Sequence, residues 1–173
     1  MEHIVGIGGF ALSGNQSDMI KTFALSTCVA LVYYSMRKHV MGMSHIQLPI
    51  AQNWREGDQP SRYADLAPEH LLSEMKKFGV GKSELLVSLY GGIDSSDPND
   101  CFRIGEKNIA SVKTALRSLG LVYSDVDTGG NDSRTLMAYV SNGVVEVVRR
   151  PMAFRSGASR ARNDRPLGFG NVR

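Results

Sequence analysis

Runs of apolar residues, separated by polar, glycine-containing and proline-containing segments, predict a domain of short strands with two helices. The strongest strand pattern is a pair of apolar runs at residues 29–34 and 40–48, with the polar segment 35–38 between them. β-branched and aromatic residues on both sides of a short polar interruption are typical of a β-hairpin, and Pro49 ends the second run.

Two helices are predicted by apolar residues at helical spacing. One covers residues 65–78 and ends at Gly79, and the other opens at residues 104–108 and ends at Gly120. Further strands are predicted at residues 4–7, 84–90, 121–127, 135–140 and 144–148, with loops at 8–16, 51–62 and 91–103. This order of strands and helices indicates a single layered domain of the α/β or α+β class, with a mixed sheet.

A cysteine and a histidine lie on the two arms of the hairpin. If the hairpin is centred between Met36 and Arg37, then Cys28 and His45 are directly opposite each other, with Cβ atoms about 4.5–5.5 Å apart. A neighbouring imidazole can accept the thiol proton, and an adjacent imidazolium would lower the pKa of the Cys28 thiol. The alternative is that Cys28 is a small apolar residue buried in a strand.

The same stretch resembles the CheD family, the chemoreceptor glutamine deamidases of bacterial and archaeal chemotaxis. The family pattern has a Thr, five residues, a nucleophilic Cys, an apolar run and a Gly-Met-Ala-His-like stretch closed by Leu-Pro. The matching positions here are Thr22, Cys28, Gly42-Met43-Ser44-His45 and Leu48-Pro49. The likeness covers roughly residues 4–148, and its later motifs are Tyr63-Ala64-Asp65, Leu89-Tyr90-Gly91-Gly92, Ile104-Gly105-Glu106-Lys107-Asn108, Asp127-Thr128-Gly129-Gly130 with Arg134, and Asn142-Gly143.

The resemblance implies an α/β layered sandwich of a mixed β-sheet with helices, related to the deamidases of the cytotoxic necrotizing factor type. It implies that Cys28 is the nucleophile, that His45 is the base, and that Thr22 orients His45. The implied substrates are glutamines of methyl-accepting chemotaxis receptors, which are converted to glutamate without a metal or organic cofactor. A CheC-type phosphatase is the implied partner.

Two other kinds of function stay open at this point. The domain could be a non-catalytic chemotaxis adaptor that binds receptors or the phosphatase, or a cysteine hydrolase that acts on a different amide. The adaptor hypothesis remains because of the segment before the cysteine. The family usually has Gly-Leu-Gly-Ser where this chain has Ala24-Leu25-Ser26-Thr27. Two glycines are therefore missing where the backbone is expected to bend beside the nucleophile.

Other motifs have structural explanations that the sequence favours. The segment Gly6–Ala11 imitates a dinucleotide-binding fingerprint, but no helix and no suitably placed acidic residue follow it. Glu106 at a helix start suits the helix dipole, and Asp127 before two glycines is typical of a turn. Cys101 is predicted to be an incidental exposed thiol, and Trp54 either an exposed contact residue or one that packs locally.

Composition and charge divide the chain into a mildly acidic domain and a basic C-terminal segment. The 173 residues, 42% hydrophobic and 21% charged, are ordinary for one globular domain. Residues 149–173 hold seven Arg and one Asp, so the net charge of +3 conceals a body of −3. We therefore expect a deamidase domain at residues 1–150 and a basic flexible C-terminal tail at residues 151–173.

Composition also limits the compartment and the partners. No apolar run approaches the roughly 20 residues of a membrane span, and the N-terminus lacks the pattern of a secretory signal. Two cysteines without metal-ligand spacing indicate neither a disulfide framework nor a zinc site. The sequence thus predicts a cytoplasmic protein with protein partners, no membrane insertion and no nucleic acid.

Overall fold

The computed structural model describes residues 1–52, 54–94 and 101–152, so most of the predicted tail lies outside the described residues. Short 3₁₀ turns occur at Pro60–Arg62 and Lys82–Glu84. In chain order the main elements are β1 Glu2–Ile4, β2 Phe10–Ser13, β3 Met19–Leu25, β4 Val29–Ser35, β5 Val40–Ile46, α1 Ala67–Lys77, β6 Leu86–Gly91, α2 Ile104–Ser118, β7 Ser124–Thr128, β8 Asp132–Tyr139 and β9 Val145–Pro151.

The strands form two sheets, each of which mixes parallel and antiparallel pairs. A four-stranded sheet has the order β1-β3-β8-β9, and a five-stranded sheet has the order β2-β5-β4-β6-β7. Only the β1–β3 and β6–β7 pairs are parallel within the described residues, and α2 forms the crossover between β6 and β7. The predicted α/β class with helices in a single layered domain is confirmed, but the one mixed sheet of the prediction is two sheets.

The two sheets and the helices form three layers with two hydrophobic cores. Val29, Leu31 and Tyr33 of β4 pack under the helices, in a core that includes Leu71 of α1 and Leu116 of α2. The alternate residues of β4 point into a second core between the sheets. Since successive strand side chains point to opposite faces, the position of a residue along β4 or β5 decides which core it enters.

The hairpin is confirmed, but its predicted register is wrong by two residues. Ser35 pairs with Val40 and Ala30 pairs with His45, so the turn comprises residues 36–39 and is centred one residue later than predicted. Ser35 remains in the strand because its buried hydroxyl accepts a hydrogen bond from the Lys38 N–H at 3.3 Å. The shift keeps Cys28 and His45 on one face of the sheet but makes them diagonal neighbours.

The first strands also differ from the prediction. β1 ends at Ile4, where a strand at residues 4–7 was expected, and the glycine-rich segment 8–16 contains β2. β3 was not predicted, because its alternating burial includes a polar residue, Thr22, at an inward position. The fingerprint-like segment Gly6–Ala11 therefore leads into a strand, as expected for a glycine pattern without dinucleotide-binding function.

The helices were predicted within a few residues. α1 and α2 present their apolar stripes to the five-stranded sheet, and Gly79 and Gly120 follow their C-termini with positive φ values. None of the helices in the described part of the chain has the length and apolar character needed to cross a membrane.

Candidate active site

The three predicted catalytic residues lie on the side where the two sheets face each other. Thr22 is an inward residue of β3 in the four-stranded sheet, and His45 is an inward residue of β5 in the five-stranded sheet. Cys28 immediately precedes β4 and packs against the core between the sheets. Thr22 and His45 are buried whereas Cys28 is partly exposed, so Cys28 is the residue of the three that is most exposed to solvent.

The hydroxyl of Thr22 connects the two sheets through His45. Its Oγ1 lies 2.7 Å from His45 Nδ1 and 2.8 Å from the carbonyl oxygen of Val5. A hydroxyl has one proton, and a carbonyl can only accept, so that proton goes to Val5 and Nδ1–H donates to Thr22. This arrangement fixes the tautomer of neutral His45 and leaves Nε2 with a free lone pair.

His45 is held as a neutral base. Burial lowers its pKa to about 4, from a usual value of 6.5, so the imidazole is uncharged at neutral pH. Its Nε2 is buried and has no hydrogen-bond partner among the described residues. Two backbone hydrogen bonds also hold His45. Its N–H donates to the Gly9 carbonyl at 2.9 Å, and its carbonyl accepts from the Gly8 N–H at 2.8 Å.

Cys28 differs from the prediction in two respects. The β4–β5 pairing makes it a diagonal neighbour of His45, a spacing of about 7–8 Å between Cα atoms, rather than the residue directly opposite. The thiol and the imidazole are thus on one face but not hydrogen-bonded to each other in the described structure. Burial raises the pKa of the Cys28 thiol, which contradicts the depressed pKa expected beside an imidazolium, because neutral His45 supplies no positive charge.

The end of β6 anchors the backbone around the thiol. Gly92 N–H donates to the Cys28 carbonyl and Ile93 N–H donates to the Ser26 carbonyl, both at 2.8 Å. Gly91 has φ +94°, and a Cβ atom there would lie 2.4 Å from the Cys28 carbonyl oxygen. The first glycine of the Leu89-Tyr90-Gly91-Gly92 motif is therefore required for the close approach of two backbones at Cys28.

The departure at residues 24–27 is accommodated by a β-bulge. The β3–β8 register shifts between Thr22 and Leu25, and Ala24 has φ +52°, a left-handed conformation that usually favours glycine. The backbone thus bends between Thr22 and Cys28 without a glycine. Phe23, beside Ala24 in the bulge, is about half exposed.

A residue without a predicted role holds the two strand ends together. Asn108 of α2 is completely buried, and its Nδ2 donates to the carbonyls of Thr27 and Gln47 at 2.9 and 3.1 Å. Thr27 precedes the cysteine, and Gln47 follows β5 two residues after His45. The two hydrogen bonds join Asn108 to residues 81 and 61 positions away. The motif Ile104–Asn108 marked the residue in the sequence, but its bonding partners are too distant for the motif to indicate them.

The carboxylates of Glu106 and Asp127 have structural partners. Glu106 pairs with Arg103 at the start of α2. Asp127, at the end of β7, accepts hydrogen bonds from Arg134 and Arg149 of the other sheet, at 2.9 Å each. Arg134 is buried and also donates to the Gly129 carbonyl at 2.7 Å, so these ion pairs link the two sheets near the glycine turn.

The remaining candidates, Cys101 and Trp54, are more exposed than the buried Thr22–His45 pair. Cys101 is exposed, as predicted. Trp54 is about half exposed and its ring lies 5.8 Å from that of Tyr63, which is the local packing that the sequence left as one of two possibilities. Within residues 1–52, 54–94 and 101–152, no group of three potential ligands is arranged to hold a metal ion.

Comparisons with known proteins show related sequences over most of the chain. A relative from Syntrophotalea carbinolica is 38% identical over 149 residues, which cover 83% of this chain and 91% of the relative. Relatives from Pyrococcus horikoshii and Thermococcus kodakarensis are 35% and 32% identical, with 83% and 85% of this chain covered and 89% and 92% of the relatives. All three are named as a probable chemoreceptor glutamine deamidase CheD.

The matched region includes most of the described domain. The family model described as CheD chemotactic sensory transduction matches residues 47–149, and the relatives extend the similarity over more than four fifths of the chain. On these similarities, together with the order of its motifs, the chain belongs to the CheD family.

Proposed function

We propose that this protein is a protein-glutamine deamidase that converts glutamine side chains of methyl-accepting chemotaxis receptors to glutamate. Membership of the CheD family and the names of its relatives support the activity and the substrate. In this proposal Cys28 is the nucleophile, His45 is the base, and Thr22 orients His45. No metal or organic cofactor takes part.

The first half of the reaction forms a thioester. The thiol proton of Cys28 passes to His45 Nε2, and the sulfur attacks the carbon of the glutamine carboxamide. The resulting tetrahedral oxyanion collapses as the imidazolium returns the proton to the nitrogen, so the C–N bond breaks and ammonia leaves.

The second half regenerates the thiol. Water attacks the thioester carbon while Nε2 accepts one of its protons, and the C–S bond breaks. The sulfur regains its proton from His45, and the substrate side chain is released as a glutamate carboxylate. Both halves need the same imidazole nitrogen, first as base and then as acid.

The observation that carries the proposal is the tautomer of His45. The chain Val5 carbonyl, Thr22 hydroxyl and His45 Nδ1–H leaves Nε2 unprotonated, buried and without a partner among the described residues. Burying an imidazole nitrogen whose lone pair accepts no hydrogen bond costs free energy. Use of that lone pair to accept the thiol proton explains why the nitrogen is left unpaired. The diagonal spacing to Cys28 requires a small approach of the thiol, which a substrate closing over the partly exposed cysteine can supply.

An oxyanion donor is available at the nucleophile itself. The backbone N–H of Cys28 makes no hydrogen bond in the described part of the chain, whereas its carbonyl is bound by Gly92. An unpaired donor beside the attacking sulfur is the kind of group that stabilises a tetrahedral oxyanion.

Three further expectations belong to this proposal. They are the relation of the fold to the cytotoxic necrotizing factor type deamidases, the binding of a CheC-type phosphatase, and a cytoplasmic location where the methylated helices of receptors are accessible. Each follows from the family resemblance, and each needs its own measurement.

Mass spectrometry of receptor fragments tests the function. Fragments containing the methylated helices are incubated with the protein, and the masses of their glutamine-containing peptides are compared with those after incubation with the folded Cys28→Ala variant. We expect glutamine-to-glutamate mass shifts at defined sites with the wild-type protein alone. Receptor binding without mass change would identify an adaptor, and ammonia release from another amide with unchanged receptor would identify a different hydrolase.

A further inference from the structure

Asn108 is hydrogen-bonded to the two segments that carry the proposed catalytic pair, but it lies in a different layer. α2 packs on the helix-covered face of the five-stranded sheet, while Cys28 and His45 are on the side between the sheets. Asn108 therefore does not share a face with the thiol or the imidazole. Its two hydrogen bonds reach the backbone at the edge of the sheet, to the carbonyls of Thr27 and Gln47.

The position of these bonds is where the β4–β5 ladder ends. The last pair of the ladder is Val29 with Ile46, and the next residues along the two strands are Cys28 and Gln47. Beyond Val29 the backbone of the cysteine segment is no longer paired with β5. The single NH₂ group of Asn108 replaces the missing ladder contact, since both of its protons can be donated, one to each segment.

This contact lies beside both residues of the proposed catalytic pair, because Thr27 precedes Cys28 and Gln47 is two residues after His45. Cys28 and His45 are diagonal neighbours that are not hydrogen-bonded to each other, so any spreading of the two strand ends lengthens the approach that the thiol must make to Nε2. Asn108 is 0% exposed and its Oδ1 has no partner among the described residues, so its burial is compensated only through Nδ2. A displacement of about 1 Å at a reacting pair can cost on the order of a hundredfold in rate.

We propose that Asn108 is a positioning residue, which fixes the distance between the cysteine and histidine segments by binding the Thr27 and Gln47 carbonyls together. This inference rests on the proposed function for its kinetic consequence, but the geometry that it describes can be measured without the receptor. Asn108 touches neither substrate nor reacting atoms in this account.

Two substitutions separate hydrogen bonding from packing. Asn108→Ala removes the donors and leaves space, whereas Asn108→Leu removes the donors and keeps a side chain of similar size. If positioning is the role, both variants lose kcat by about ten- to a hundredfold with KM nearly unchanged, because the substrate-contacting surface is intact. Near wild-type kcat in a folded Asn108→Leu protein would reduce Asn108 to a packing residue and overturn the proposal.

Ser111→Ala is the matched control. Ser111 lies one turn further along α2, and its hydroxyl donates to the Pro49 carbonyl at 2.6 Å. It therefore anchors the same helix to the segment after β5, through a hydrogen bond that does not involve Thr27. We expect Ser111→Ala to retain kcat within a few-fold, and a loss equal to that of Asn108→Leu would show that general docking of α2 is the cause.

The decisive measurement is alkylation of Cys28 by iodoacetamide, in a Cys101→Ser background that leaves one thiol. Rates are compared for the parent, His45→Gln, Asn108→Leu and the double variant, each checked for folding by circular dichroism. Positioning predicts that Asn108→Leu lowers the rate as His45→Gln does, and that it has little further effect once His45 is replaced. Additive effects, or an unchanged rate in Asn108→Leu, would overturn the inference.

This design separates the two proposals. If the parent deamidates receptors while Asn108→Leu matches it in kcat and alkylation, only the positioning role fails. If the parent does not deamidate receptors but its alkylation depends on His45 and Asn108, the deamidase function fails and the positioning of the pair stands.

Discussion

The Thr22 hydroxyl decides which imidazole nitrogen of His45 carries the proton. It accepts Nδ1–H while its own proton is committed to Val5, so removing it frees the ring to adopt the other tautomer. We expect Thr22→Ala to lower kcat by about one to three orders of magnitude with KM less affected, because a neutral hydroxyl orients the ring but stabilises an imidazolium only weakly.

Thr22→Ser is the control for this prediction, since it keeps the hydroxyl and removes only a methyl group. Steady-state ammonia release on receptor fragments measures both variants. A kcat of Thr22→Ala equal to that of the wild-type protein would exclude Thr22 from the site, whatever the effect on stability.

His45 makes the stability of the folded protein depend on pH. Its pKa is about 4 in the folded protein against 6.5 as the usual value, so below pH 6.5 the unfolded chain takes up a proton that the folded protein refuses. Stability from this residue is complete above pH 6.5 and is lost progressively as the pH falls toward 4. Between pH 7 and 5 the loss is about 2 kcal/mol.

Urea unfolding of the wild-type protein and of His45→Gln at pH 7 and pH 5 tests this. Glutamine does not titrate in this range, so the variant lacks the contribution of this site while keeping those of the other groups. The wild-type protein should lose about 2 kcal/mol more than the variant. Equal losses would mean that the imidazole is protonated as readily in the folded protein as in the unfolded chain.

At the residue scale the sequence predicted the candidates but not their electrostatics. Cys28, His45 and Thr22 were found from the motif spacing, because the motif records residue types and positions. The raised pKa of Cys28 and the lowered pKa of His45 follow from burial between two sheets, and only one sheet was expected. Asn108 was missed because its role arises only after α2 docks on two distant loops.

Among the secondary-structure elements, the β3 bulge has the clearest energetic consequence. Ala24 occupies a left-handed conformation at φ +52°, which costs a residue with a Cβ atom about 1–2 kcal/mol. Ala24→Gly relieves this cost but makes the unfolded chain more flexible, which offsets about 0.4–1 kcal/mol. We therefore expect Ala24→Gly to stabilise the protein by up to about 1 kcal/mol.

Ala110→Gly is the matched control, because Ala110 is exposed on α2 and its substitution should destabilise the protein by about 1 kcal/mol. Chemical denaturation of both variants and the wild-type protein provides the comparison. Destabilisation of Ala24→Gly by as much as Ala110→Gly would contradict the left-handed conformation assigned to residue 24.

The hairpin illustrates how far element-level prediction reaches. Its strands were predicted because β-branched and aromatic residues dominate both arms, whereas its register depended on where the turn begins. Ser35 is polar and looked like a turn residue, but it is a buried strand residue, and the turn ends with His39 at φ +51°. Since the error was two residues, the face of each side chain was still predicted correctly.

At the scale of the whole molecule, the sequence predicted helices packed on a sheet but not the second sheet. The apolar stripes of α1 and α2 require a sheet to cover them, which fixes one interface. The second interface depends on β3 and β8, which bring the polar residues Thr22 and Arg134 to buried positions. The inward polar Thr22 hid β3 from pattern analysis. Thr22 contacts His45, and Arg134 forms an ion pair that joins the sheets.

The distribution of charge predicts a role for the C-terminal segment in docking. Residues 149–173 hold seven Arg and one Asp, a net charge of +6 beside a body of −3, and they begin in the last part of β9, which ends at Pro151. We expect removal of residues 153–173 to leave the thermal midpoint nearly unchanged and to weaken receptor binding, mainly at low ionic strength where charges act furthest.

Receptor affinity of the full chain and of the truncated chain, each at low and high salt, measures this effect. Neutral replacement of the arginines in residues 153–173 is the matched control, since it keeps the length of the chain. Identical affinities of the truncated and full chains at low salt would exclude the docking role, and an unfolded truncated chain would show that the segment is part of the core.

The central claim is that Cys28 is the nucleophile of glutamine deamidation, and ammonia release by two single-cysteine variants tests it most directly. Folded Cys28→Ala should release no ammonia from receptor fragments above background, whereas Cys101→Ser, which removes the exposed thiol, should retain turnover within a few-fold of the wild-type protein. Near-normal turnover by Cys28→Ala, or complete loss in a stable Cys101→Ser protein, would contradict the account.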